Sequence, residues 1–447
     1  MSKQVTIVGA GLVGSLLSIF LAKKGYKVNI YERRADMRKV TMTAGKSINL
    51  ALSDRGWRAL EAVGIASEIK KIAIPMYGRF IHNRDGSTAQ QPYGKDNQAI
   101  YSVSRADINM KLMDLAEKQT NVSIYFDKKC TAINRKNLEA TFEDTLTNKT
   151  ITATSDLLFG ADGAFAASRL NMQLNSDRFE YNQHYIDCGY KELIIPPGKN
   201  AEFLMDKNAL HIWPRGSFMM IALPNLDGNF TCTLFMPFKG PKSFENLNTK
   251  QEIITFFNEE FADAVPLMPT LVEDFMANPV ASLVTVKCTP WTFDNKIALI
   301  GDAAHAIVPF YGQGMNCGFE DCVVLNELIE KHNNDWDTIM QQYQALRKPD
   351  GDAIADLAIA NFIEMRDKTA DQKFLLQKKI EAKFSSKYPD KWIPLYSMVT
   401  YSPHIRYSTA LNEGKKQQAI MDKIMALPNI ENSWESPEIE KQMLSHL

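Results

Sequence analysis

The chain has 447 residues, 45% of them hydrophobic and 23% charged, which excludes a disordered, collagenous or low-complexity polymer and allows a sizeable core. Lys plus Arg number 51 against 52 Asp plus Glu, so a formal charge of −1 gives no whole-chain signature of a nucleic-acid binder or polybasic membrane anchor. Six cysteines without a Cys-x-x-Cys pair, and histidines without metal-ligand spacing, speak against a structural zinc site, and no metal is expected. No export signal precedes the first apolar run and no stretch reaches the ~18 apolar residues of a membrane span. The expected setting is a soluble protein in the reducing cytoplasm.

From Gln4, a β-branched run through Val5, Ile7 and Val8 enters a glycine-rich turn, and Leu12, Leu16, Leu17, Phe20 and Leu21 then recur at helical spacing. Gly25 stops that helix, and a second apolar run through Val28 and Ile30 ends on Glu32. This βαβ unit of about 30 residues is how a doubly wound fold begins. Residues 47–64 predict a strand and then a helix, and 76–103 an antiparallel excursion broken by Asp85-Gly86 and Pro92-Tyr93-Gly94. Ser104 to Glu117 predicts a helix capped by Ser104, with Asp107 in the capping-box position. Strands follow to Gly160. Between 180 and 286 the pattern predicts a second, mostly antiparallel sheet, including Ala209–Trp213, Phe218–Leu223 and Phe230–Phe235. A buried strand returns at Lys296–Ile300, and from 316 to the end the chain reads as helical, with a short amphipathic helix at 416–426.

Three motifs carry chemistry. In Gly9-Ala10-Gly11-Leu12-Val13-Gly14, the first glycine permits a tight turn, the second lets backbone amides approach a pyrophosphate, and the third lets helix and strand close up. Glu32, about 20 residues on, can accept hydrogen bonds from a ribose. The second motif runs from Asp156 through Asp162-Gly163 to Ser168-Arg169. In the third, a strand ends at Gly301, so Asp302 projects from the carboxyl edge of the sheet toward a ribitol or ribose hydroxyl, or else serves as a helix cap. The loop through Gly312, Gly314, Met315 and Asn316 then opens a helix whose amides and dipole favour an anionic ligand. His305 reads as a packed structural residue.

These three motifs, in this order, resemble those of the single-component (class A) flavoprotein aromatic hydroxylases. The resemblance implies an α/β fold: a Rossmann-type FAD-binding domain of the p-hydroxybenzoate hydroxylase-like fold, an inserted antiparallel-sheet substrate domain and a helical C-terminal region. The expected division is 1–75, 100–178 and 287–335 for FAD, 76–99 and 179–286 for the substrate sheet, and 336–447 for the helices. It implies non-covalent FAD held by Gly9, Gly11, Gly14, Glu32, Arg33, Arg105, Asp302, Gly312, Gly314, Met315 and Asn316. NADPH is the implied transient reductant, touching Asp162 and Arg169, and O2 the co-substrate, its oxygen passing to the ring through a flavin C4a-hydroperoxide. No obligatory catalytic side chain is implied.

The segments Gly45–Ser53, Gln91–Gly94, His211–Pro214, Phe218–Asp227, Asn361–Met365 and Ile393–Thr400 resemble one branch of that family, whose substrate is a small zwitterionic aromatic amino acid. The resemblance places Arg79 and Tyr93 on the substrate carboxylate, with Asn361 and Tyr396 nearby, and Phe310, Glu364 and Met365 along the pocket beside the flavin. Tyr311 departs from the branch, which carries His there and draws proton handling from it. A hydroxylase of another aromatic acid is the alternative. A flavin-dependent halogenase is disfavoured, because only Ile212-Trp213-Pro214 remains of its Trp-x-Trp-x-Ile-Pro signature. A non-catalytic flavin-binding protein is the third reading. Monomer and homodimer are both open.

Overall fold

The computed structural model describes residues 3–40, 48–94, 98–364 and 371–447. Gln4–Val8 and Lys27–Tyr31 are almost continuously buried, as parallel strands covered on both faces must be. They lie inside a six-stranded sheet of order Thr292–Phe293, Ile297–Leu299, Leu157–Gly160, Gln4–Val8, Lys27–Tyr31, Val122–Tyr125. All neighbours are parallel except the outer Thr292–Phe293 strand. The helix Leu12–Lys23 makes the crossover between the second and first βαβ strands, burying Leu16, Leu17, Phe20 and Leu21 as the spacing predicts. Arg105–Glu117 is capped as expected, Ser104 Oγ accepting the Asp107 amide at 3.3 Å. The predicted strand and helix after residue 47 are Asn49–Leu52 and Asp54–Ala62.

A seven-stranded sheet has the order Ala281–Thr289, Glu180–Ile195, Phe230–Pro237, Met219–Pro224, Ala209–Pro214, Gly78–His82, Thr88–Pro92. It is antiparallel except where Gly78–His82 runs parallel to Ala209–Pro214. Cross-strand register puts Glu192, Thr233, Ile221, Ile212 and Ile81 in one row on a single face. Arg79, paired with Leu210, shares that face because side chains alternate along a strand. This face is the floor of the site described below.

The opposite face is covered by the helices Lys250–Glu260 and Leu271–Ala277, whose Ile253, Phe257, Leu271 and Phe275 join Leu193, Met220 and Leu234 in one cluster. Sequence periodicity had predicted only sheet across this region. The signal was nonetheless present: Thr249 and Glu252 form a complete capping box at the start of the first of these helices. From Gly314 the described residues are mostly helical, with Trp336–Ile363 and Tyr407–Met425 the longest helices among them. The amphipathic stretch at 416–426 lies within the latter and buries Ile420, Met421 and Ile424 against Ile380, Phe384 and Trp392. No described helix is long and apolar enough to cross a membrane.

On the covered face a polar chain runs through the sheet. His211 Nε2 donates to the Asp206 carbonyl at 2.9 Å, so its Nδ1 accepts from His82 Nε2, also at 2.9 Å. His82 Nδ1 lies 2.8 Å from Asp263 Oδ2, and the Trp213 indole donates to the same carboxylate. Burial pushes the His211 imidazole down to about 4, against an unfolded value near 6.5. Between those values the unfolded chain binds a proton that the folded chain refuses, so stability is full above pH 6.5 and falls as pH drops toward 4. The loss is expected to be on the order of 3 kcal/mol. Unfolding midpoints for the wild type and His211→Gln between pH 7 and pH 4.5 test this; identical pH slopes would remove His211 as the cause.

Candidate active site

The glycine motif forms the turn between the strand Gln4–Val8 and the helix Leu12–Lys23. Gly9 has φ +103°, and a Cβ there would stand 2.6 Å from the Ala161 carbonyl oxygen. A Cβ on Gly14 would stand 2.0 Å from the Gly9 carbonyl oxygen, which fixes how closely the helix abuts the turn. Gly11, the helix N-cap, has nothing within 4 Å of its Cβ position. Two glycines therefore serve the backbone's own closure, while the third opens onto free space at a helix N-terminus, the cradle a diphosphate requires. At the end of the second strand Glu32 accepts the Ala10 amide at 2.9 Å and the Arg34 amide at 3.0 Å, so it also sets the turn's shape. Arg33, next after Glu32, is exposed, as is Arg105 at the start of its helix. These residues fit a dinucleotide.

Asp302 opens the short helix Asp302–His305 and is exposed, without a hydrogen bond among the described residues. Behind it lies a buried ionic network. Asp321 accepts from the Gly301 amide (3.0 Å), His305 Nε2 (2.5 Å) and Arg347 Nε (2.7 Å). Arg347 also pairs with Glu320 at 2.7 Å and Asp350 at 3.1 Å, and Glu320 pairs with Arg55 at 2.6 Å. Burial opposes the His305 charge, but Asp321 more than offsets it and holds the imidazole well above its ordinary range. His305, Cys317 and Asp321 have metal-ligating atoms close together, yet the Arg347 guanidinium already supplies the cation, 3.3 Å from Cys317 Sγ.

Several residues expected to touch the cofactor or the reductant also make bonds within the protein. The Asn316 side chain is employed inside the protein, accepting the Ser53 amide at 3.0 Å and donating to the carbonyls of Ala51 and Gly312, each at 2.8 Å. Met315 is buried in the core, and the Gly312 amide donates to the Pro309 carbonyl at 2.8 Å. Asp162 and Arg169 do not pair with each other. Asp162 accepts the Ser168 amide at 3.0 Å and the Ser168 hydroxyl, while burial raises its carboxyl's pKa. Arg169, 4% exposed, donates to the carbonyls of Ala303 at 2.8 Å and Ala164 at 2.6 Å, and packs on the Tyr181 ring. It ties the second motif to the third. Arg169 therefore braces the two motifs with part of its guanidinium.

Several of the residues expected to meet the substrate converge above the sheet floor. The Arg79 guanidinium lies 5.5 Å from the Tyr93 ring and 5.0 Å from the Tyr396 ring, and those two rings stack at 5.6 Å. It joins no ion pair among the described residues, and its Nε is buried without a hydrogen-bond partner among them; the same holds for the Tyr93 hydroxyl. Tyr311 stacks on the other side of Tyr396 at 5.7 Å, its phenol pushed up by burial. Phe310 packs on Phe235 of the floor at 5.0 Å and on Phe362 at 4.3 Å. Asn361 donates to the Phe310 carbonyl at 2.7 Å, so it holds this loop in place, and Glu364 lies near enough to raise the Tyr311 phenol. Met365 lies outside the described residues.

The FAD binding domain family matches residues 2–358. The chain is 51% identical to the kynurenine 3-monooxygenase of Flavobacterium johnsoniae, covering all of this chain and 99% of that one. The enzyme of the same name from Dictyostelium discoideum is 45% identical over 95% of this chain and 94% of its own, and that from Sus scrofa 42% over 94% and 88%. The chain belongs to the kynurenine 3-monooxygenase family.

Its fold is also that of the tetrameric 2-methyl-3-hydroxypyridine-5-carboxylic acid oxygenase, with a TM-score of 0.67 at 19% identity over 84% of this chain and 95% of that one. PqsL of Pseudomonas aeruginosa gives 0.66 at 17% identity over 82% and 97%. Within a kynurenine 3-monooxygenase frame, two residues that motif reading missed now stand out. Glu192, on the floor, has a buried Oε2 without a partner among the described residues, and burial pushes its carboxyl up to about 7 against the opposing pull of Arg105. Its signal was a lone acid in a row that is otherwise uncharged. Tyr401 is the other.

Proposed function

We propose that the chain hydroxylates L-kynurenine at the ring carbon ortho to its aniline nitrogen, giving 3-hydroxy-L-kynurenine. NADPH, a proton and O2 are consumed, and NADP+ and water leave. The observation that carries the substrate is Arg79: a guanidinium flanked by tyrosines, with no carboxylate opposite it among the described residues, calls for an anion from outside. A zwitterionic amino acid supplies one, and a planar guanidinium matches its carboxylate bidentately.

FAD would rest on the turn Gly9–Gly14, Glu32, Arg33, Arg105, Asp302 and the loop 312–316, and when bound it supplies the reductive activation of oxygen. The protein's own part is placement. Arg79 and Tyr93 hold the carboxylate, Tyr396 and Asn361 fix the walls, and Phe310, packed on Phe235, lines the pocket and excludes water. The arylamine itself directs electron density to the carbon attacked, so no side chain is needed as nucleophile. Six unpaired, buried cysteines support a reducing compartment.

The test is NADPH oxidation by the FAD-loaded chain in air, with and without L-kynurenine, and the product's mass. Stimulated oxidation with a gain of one oxygen atom is expected. Stimulation without oxygen gain makes kynurenine an uncoupling effector, and no stimulation returns the substrate to other aromatic acids.

A further inference from the structure

Tyr401 follows the short helix Leu395–Thr400 that carries Tyr396, and its amide donates to the Ser397 carbonyl at 2.9 Å. Its ring meets that of Tyr396 edge-on, 6.1 Å between centroids. It is 8% exposed and clusters with Met76, Ile100 and Leu223, bordered by Tyr93 and Leu210. Leu210 is the direct cross-strand neighbour of Arg79. Tyr401 thus borders the same end of the floor as the carboxylate clamp, in contact with the Tyr396 ring and in one cluster with Tyr93.

Its hydroxyl is buried and has no hydrogen-bond partner among the described residues. A buried hydroxyl left unpaired costs about 1–3 kcal/mol, and a phenylalanine would fill the same apolar cluster without that penalty. Burial, with Tyr396 and Tyr93 adding to it, pushes the phenol well above its ordinary range, so it remains protonated and able to donate. Three donors in one cluster therefore lack partners among the described residues: Arg79 Nε, Tyr93 Oη and Tyr401 Oη. One ionised carboxylate, with about four lone-pair sites, can accept from all three.

We propose that Tyr401 is a third donor to the substrate carboxylate, so that its hydroxyl, with Arg79 and Tyr93, sets the preference for substrates bearing an acid group on the side chain. This rests on the kynurenine reading above. The test is Tyr401→Phe in the FAD-loaded chain, with dissociation constants read from the flavin absorbance for L-kynurenine and for kynuramine, the same molecule without its carboxylate. Loss of one charge-assisted bond is expected to weaken kynurenine about ten-fold or more, with kynuramine affinity and the kcat for kynurenine within two-fold of wild type. Equal weakening of both ligands would make Tyr401 a structural residue, and unchanged kynurenine affinity would remove it from the clamp; either overturns the proposal. If the wild type neither binds nor oxygenates kynurenine, the substrate assignment itself fails, and that result is separate from any difference between the variants.

Discussion

Replacing Arg79 by alanine is expected to raise the KM for kynurenine at least a hundred-fold while leaving the yellow flavin content intact. The guanidinium sits against two aromatic side chains, Tyr93 and Tyr396, where the effective dielectric is low and water is scarce. Removing one partner of a desolvated charge pair costs about 3–5 kcal/mol, because the abandoned carboxylate stays buried without compensation, and each 1.4 kcal/mol is ten-fold. Arg79→Lys is expected to recover only part of the loss, since an ammonium cannot offer the bidentate fork. In the absence of substrate the alanine variant should unfold no more easily than the wild type, because the deleted cation has no ion-pair partner among the described residues. Steady-state NADPH oxidation against kynurenine concentration, with the flavin spectrum as control, checks both statements. An unchanged KM would move the clamp elsewhere.

Asp321→Asn is expected to be the most damaging single isosteric change to the frame. The carboxylate is fully buried and serves the Gly301 amide, His305 and Arg347 together. An amide of the same shape cannot neutralise two cationic partners, and breaking a buried ion pair on one side costs roughly 3–5 kcal/mol. Because Gly301 immediately precedes Asp302, the same change loosens the strand end that presents Asp302, the acid proposed to meet the cofactor. A lowered thermal midpoint and release of FAD at lower temperature are expected together. A lowered midpoint with unchanged FAD retention would show that the network supports the fold alone. In the wild type, the raised pKa of His305 makes a contribution that is fully present below pH 6.5 and is lost only as pH climbs through the folded value; the Asn variant should lack it.

Much of this architecture was legible because it is local. The strand, turn and helix around Gly9, the Ser104 cap and the strand ending before Gly301 each express their pattern within a few residues. What the sequence hid is non-local or double-edged. Glu320 joins Arg55 to Arg347 across hundreds of residues, and no periodicity announces such a partnership. Asn316 occupies a motif position, yet its side chain is consumed by Ser53, Ala51 and Gly312 within the protein. Lys250–Glu260 was hidden because a helix covering a sheet is apolar on one face, and Phe256 and Phe257 resemble strand residues in isolation. Tyr401 escaped notice because an aromatic residue after a short helix is ordinarily core.

Arg55 carries a consequence for anyone recombining these enzymes. Its guanidinium donates to the carbonyls of Val399 at 2.6 Å, Met398 at 3.1 Å, Ser402 at 3.4 Å and Ile405, and lies 3.9 Å from the Tyr407 ring. It thereby serves as the mould on which the chain from Met398 to Ile405 is cast. Transplanting the C-terminal third from a relative is therefore not a cut at one junction. The donor segment inherits its shape from a residue near the beginning of the recipient, so a chimera that mismatches position 55 with its tail would misplace Tyr396, and with it the recognition of the substrate, while every residue within the transplanted piece remained correct.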